Sequence, residues 1–189
     1  MGTVVRSLER AAPDWTPRTA SDPTPGPPRE QTTLHELVTD LPQERITALY
    51  ESLEERAQRA LDGPIGKALN SRPQTVAKRP LTMRVKALRA YILRQRDDDL
   101  SAELLRSYLL GPRKDLVTGF LDGVGIEHEE GSVEGDDEPA ADKVGPTVEA
   151  LLKEHDAGDV LLYLEVASRQ WPESAAVQEA LEAQRAAAS

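Results

Sequence analysis

Apolar residues recur at steps of three and four along most of this chain, the signature of helices that bury one face. The first such stretch opens near Thr32 or Thr33 and places Leu34, Leu37 and Val38 together. Pro42 suits the first turn of a second helix. The apolar marks of that helix run through Ile46, Leu49, Tyr50, Leu53, Ala57, Ala60 and Leu61. Asp62-Gly63-Pro64 predicts a stop after it. On its wet face Glu55 and Arg59 stand at a favourable four-residue spacing.

Residues 65–80 predict short helical or irregular pieces, broken by Pro73 and Pro80. A longer helix is expected over 81–96, with Val85, Leu88, Tyr91 and Ile92 as its buried stripe. Asp97 to Asp99 end it and supply a cap for the next helix, which carries Leu100, Leu104, Leu105, Tyr108 and Leu109. Gly111-Pro112 stops that helix. Another follows with Leu116, Val117, Phe120, Leu121 and Val124, closed by Gly125. Gly145-Pro146-Thr147 reads as a fresh start, with Val148, Leu151 and Leu152 on the apolar face and His155 near the end. Beyond Asp156 come Val160, Leu161, Tyr163, Leu164 and Ala167, and Trp171-Pro172 introduces a last helix bearing Ala176, Val177, Ala180 and Leu181. A loose likeness between AELLRSYLLGPRKDLVTGFLDGVG and VEALLKEHDAGDVLLYLEVASRQW supports two helical hairpins, 99–124 and 147–169.

These readings give an all-α protein, a small multi-helix array or bundle built from short hairpins. Residues 1–30 are expected to be a disordered, flexible tail. Pro13, Pro17, Pro23, Pro25, Pro27 and Pro28 lack backbone donors, and little apolar material offsets the entropy of ordering them. Residues 31–126 form an N-terminal helical portion, 127–145 an acidic linker, and 146–187 a C-terminal helical portion packed on the first. The same apolar stripes serve one core or a homo-oligomer equally well.

With aromatic residues at 4%, Leu, Val, Ile and Ala must build the core, and neither an aromatic cage nor a base-stacking platform is supported. The absence of cysteine excludes disulfides, thiol chemistry and Cys-ligated metals. No stretch approaches the roughly 20 apolar residues that cross a bilayer, and the N-terminus lacks the apolar core of a signal peptide. A cytoplasmic protein with no membrane role is the expectation.

Charge changes the picture most. Residues 65–96 hold nine Lys or Arg and no Asp or Glu, within a chain of net charge -10, so the remainder carries -19. Such segregation creates a local field opposite to the one the whole chain implies. Residues 127–142 hold eight Asp or Glu and no Lys or Arg. The expected function is a non-enzymatic protein-interaction or adaptor module. It would use Arg84, Lys86, Arg89, Arg94 and Arg96 as a basic helix face beside an apolar groove, with an acidic protein as partner. The alternative partner is nucleic acid, whose phosphates the 65–96 region could neutralise, although no recognition-helix signature accompanies it.

Enzymatic chemistry has little support. No phosphate loop, dinucleotide turn, nucleophile elbow or HExxH motif occurs. His35, His128 and His155 lie in unrelated contexts and do not supply the three or four converging ligands of a zinc site. His155 reads as a helix end, and His128 among Glu127, Glu129 and Glu130 as a solvated loop. No cofactor or metal is expected; a catalytic reading would need a non-local carboxylate and histidine site.

Overall fold

The computed structural model describes residues 32–133, 135 and 137–188. The expected tail over 1–30 lies outside them. Among the described residues all regular elements are helices: α1 Leu34–Asp40, α2 Gln43–Glu51, α3 Glu55–Ala60, α4 Asp62–Ala68, α5 Pro73–Val76, α6 Leu81–Gln95, α7 Asp98–Leu110, α8 Lys114–Val124, α9 Ala141–Glu154, α10 Ala157–Gln170 and α11 Ala175–Ala188. The protein is all-α, an array of short helices.

Local chemistry starts and stops these helices. The Thr33 N–H donates to Glu36 Oε2 at 2.8 Å and satisfies one orphan donor at the head of α1. Asp97 Oδ1 accepts from the Leu100 N–H at 3.0 Å and caps α7. Asp156 Oδ1 accepts from the Gly158 N–H at 2.9 Å and opens α10. Gly125, at φ 81°, returns its N–H to Leu121 O at 3.0 Å and closes α8, where any side chain would be strained.

Three expectations fail locally. The second helix does not run to Leu61: it breaks after Glu51, and Gln58 Nε2 donates to the freed Leu53 carbonyl at 3.0 Å. The break resets the helical phase, so Ala60 faces water while Leu53 and Leu61 stay buried. Asp62-Gly63-Pro64 is not a stop but the first turn of α4. Aspartate suits a helix N-terminus, and proline in a first turn gives up only an N–H that has no helical acceptor. Finally, α9 begins at Ala141 rather than Gly145, and Pro146 lies inside it. Gly145 allows this, because without a Cβ it escapes the clash that bars most residues before proline from helical angles.

The buried side chains form one cluster. α6 packs on α1, α2 and α4; α7 contacts α1, α2 and α8; α9 packs on α8 and α11, and α11 on α10. Val85, Leu88 and Ile92 of α6 are fully buried and hold it to this core. Each such burial is worth about 1.5–3 kcal/mol. α8 and α9 approach closely because Gly123 faces Thr147: a Cβ on Gly123 would lie 2.5 Å from Thr147 Cγ2.

The segment between α8 and α9 is held at several points. Glu129 and Ser132 exchange backbone hydrogen bonds at 2.9 Å, Ile126 and Pro139 are buried, and Trp171 Nε1 donates to the Asp137 carbonyl at 2.9 Å. No ion pair among the described residues joins 127–142 to 65–96; Glu130 pairs instead with Lys114 at 3.3 Å.

Candidate interaction surface

α6 turns two kinds of side chain to solvent on one face. Met83 and Leu93 are 43% and 58% exposed, and they are the exposed large apolar side chains among the described residues. Around them stand exposed Lys86, Ala90 and Arg94 and partly exposed Arg89. Helical geometry explains the grouping: Met83, Lys86, Ala90 and Leu93 recur at steps of three and four, opposite the buried Val85, Leu88 and Ile92. The stripe from Met83 to Leu93 spans about 15 Å of helix axis.

No ion pair among the described residues engages Lys67, Arg72, Lys78, Arg79, Lys86, Arg89, Arg94 or Arg96. Arg96 ends α6 in the left-handed conformation at φ 52° and is exposed beyond the stripe. Arg84 differs from the rest. Its guanidinium lies 5.4 Å from the Tyr50 ring centroid, its Nη1 donates to Tyr50 Oη at 3.0 Å, and its Nε is buried without a partner. Burial pushes the Tyr50 phenol above its ordinary value, and the Arg84 charge opposes that shift. Arg84 therefore braces α6 on α2, while Lys86, Arg89 and Arg94 share the outer face with the two apolar groups.

Buried polar clusters elsewhere are occupied with holding helices together. Asp159 is 2% exposed; it accepts from Arg45 Nη1, from Arg113 Nε at 2.6 Å and from Tyr108 Oη at 2.9 Å. Arg45 also reaches Asp156 at 2.7 Å and holds that carboxyl below its usual range. Glu165 accepts from Arg185 Nε at 2.6 Å and pairs with Arg169 at 3.7 Å. Burial lowers the Arg169 guanidinium, which also donates to the Thr32 carbonyl. The sequence offered Asp156 and Asp159 only as local ligand candidates beside His155; their cationic partners Arg45 and Arg113 lie 46 or more positions away and leave no local pattern.

The histidines are likewise dispersed. His35 is buried, and its backbone N–H and Nδ1 meet Asp98 Oδ1 at 2.8 and 2.9 Å, tying α1 to α7. His128 accepts at Nδ1 from the Gly131 N–H at 3.2 Å. The His155 N–H donates to Leu151 O at 2.8 Å at the end of α9. Among the described residues no three His, Asp or Glu side chains converge as a metal site, and no helix is long and apolar enough to cross a membrane.

Comparison with protein-family models, with curated proteins and with solved structures gave no significant match to this chain.

Proposed function

We propose that the chain is a non-enzymatic interaction module whose outer α6 face docks an acidic, amphipathic segment of a partner protein. The observation that carries this reading is the sharing of one helix face by exposed Met83 and Leu93 and by unpaired Lys86, Arg89 and Arg94. Exposed large apolar groups give a partner something to desolvate, and unpaired cations around them steer and orient it. An acidic helix with apolar residues at three- and four-residue steps matches both features. Nucleic acid would use the cations but leave Met83 and Leu93 without a role, and Tyr91 is partly buried rather than presented for stacking.

The test is a titration of isotope-labelled protein with a Glu- and Leu-rich helical peptide and, separately, with single-stranded DNA of similar charge. The reading expects peptide-induced shifts centred on residues 83–94, abolished in the M83S/L93S variant. DNA should bind more weakly and be indifferent to that variant. Shifts centred away from α6, or equal binding of DNA and peptide in both proteins, contradict it.

A further inference from the structure

A second surface feature is independent of α6. A cleft of about 590 Å³ opens between α7, α8, α10 and the Gly131–Val133 turn, with Leu34 of α1 at its edge. Its size falls in the range of small-molecule sites. Leu105, Leu109, Val117 and Val166 make its walls apolar. Gly131 suits the rim: its φ of 92° is one that residues with a side chain rarely adopt, and an added Cβ would sit 3.0 Å from Leu110 Cδ2.

Two polar side chains in the lining stand out. Tyr163 is 5% exposed, packs edge-on against Phe120 with centroids 5.1 Å apart, and its hydroxyl makes no hydrogen bond with any described residue. A buried phenol ordinarily finds a partner; here the ring is buried while the hydroxyl stays open to the cleft, where water or a ligand can accept from it. Burial pushes its pKa up, which keeps it a neutral donor. Arg106, exposed on the same lining, has no ion pair among the described residues. No Asp or Glu lines the cleft, and Arg106 is the one charged side chain in its lining.

We propose that this cleft binds a medium-chain aliphatic carboxylate, its chain against the apolar walls and its acid oxygens accepting from Arg106 and the Tyr163 hydroxyl. Apolar walls alone would take any hydrocarbon. The guanidinium selects an anion, and the unmatched phenol supplies a second donor that a hydrocarbon or an amine leaves unsatisfied.

The experiment is calorimetric titration of the full chain with decanoate and with 1-decanol, below micelle-forming concentrations. Tryptophan emission serves as a second readout for the wild type, R106Q and Y163F, since Trp171 packs 6.4 Å from Phe120, which in turn contacts Tyr163 of the lining. Three variants accompany the wild type: Arg106→Gln, Tyr163→Phe and Ala102→Trp, the last placing bulk on an exposed rim position. Their melting temperatures are checked against wild type. Saturable decanoate binding at least tenfold tighter than decanol binding is expected. It should weaken tenfold or more in R106Q, threefold or more in Y163F, and be lost in A102W, with decanol little affected by R106Q. Absence of saturable decanoate binding overturns the proposal. So does equal affinity for the alcohol, or decanoate affinity unchanged within twofold in R106Q, Y163F or A102W.

Discussion

Arg113 Nε donates to Asp159 Oδ2 at 2.6 Å, joining the start of α8 to the first turn of α10. Because Arg45 and Tyr108 meet the same carboxylate, one buried anion ties together α2, α7, α8 and α10. Removing one partner of a buried ion pair strands the others, at a typical cost of about 3–5 kcal/mol. Arg45 and Arg113 are 21% and 38% exposed and can recover some hydration. Asp159→Ala should therefore cost toward the lower end, about 3 kcal/mol, read as a lowered urea midpoint with an unchanged slope. Asp159→Asn should cost less, since it keeps an acceptor for Tyr108.

Acid should weaken the fold through Asp98 and Asp156. The His35 backbone N–H holds the Asp98 carboxyl below its ordinary value, and Arg45 does the same for Asp156. A carboxylate whose folded pKa is depressed contributes stability above its unfolded pKa, and that contribution is lost as pH falls through the folded value. Urea midpoints should thus drop between pH 5 and pH 2. Asp98→Asn should begin less stable at pH 6 and lose less over the same interval, because it no longer has a proton to take up there.

Gly123 and Thr147 set the spacing of α8 and α9. Gly123→Ala gains about 1 kcal/mol of helix propensity but drives a methyl into Thr147 Cγ2 and Oγ1, 2.5 and 2.6 Å from the new Cβ. Overpacking of this kind costs about 1–3 kcal/mol, and a β-branched side chain on a helix has few rotamers to escape into. The single variant should be less stable than wild type, and adding Thr147→Ala should recover part of the loss. A double-mutant cycle in thermal or urea unfolding checks the coupling.

Arg84 and Lys86 stand two positions apart and should separate stability from binding. Arg84→Ala removes the Tyr50 contact and should cost about 1 kcal/mol of stability. Lys86→Ala and Leu93→Ser touch no core group and should leave stability within about 0.5 kcal/mol of wild type. Only the latter pair should weaken peptide binding without moving the unfolding midpoint.

Much of the helical array was legible in the chain because α6, α7 and α8 carry apolar residues at helical spacing between strong boundaries, such as the Asp97 cap and Gly125. Punctuation was less legible. Pro64 and Pro146 carry signals that both stops and starts share, and only tertiary packing decided between them. Of the basic residues read as one face, Lys86 and Arg94 are exposed there, while Arg84 lies on Tyr50. Its inward lean follows from its place on the flank of the Val85-Leu88-Ile92 stripe. Met83 and Leu93 were also within reach of the sequence, since they fall opposite that stripe. The partners of Asp159 were not: Arg45 and Arg113 lie 114 and 46 positions away, and no local pattern connects them.

Site-specific photo-crosslinking from Ala90, at the centre of the exposed α6 stripe, tests the docking surface most directly. A crosslinker at exposed Glu149 on α9 serves as control. The account predicts a protein adduct formed from position 90 and not from 149, mapping to a peptide that is net acidic and carries apolar residues at helical spacing, and lost when Lys86 and Arg94 are reversed to Glu. Adducts to nucleic acid or to basic peptides, or equal capture from both positions, contradict it.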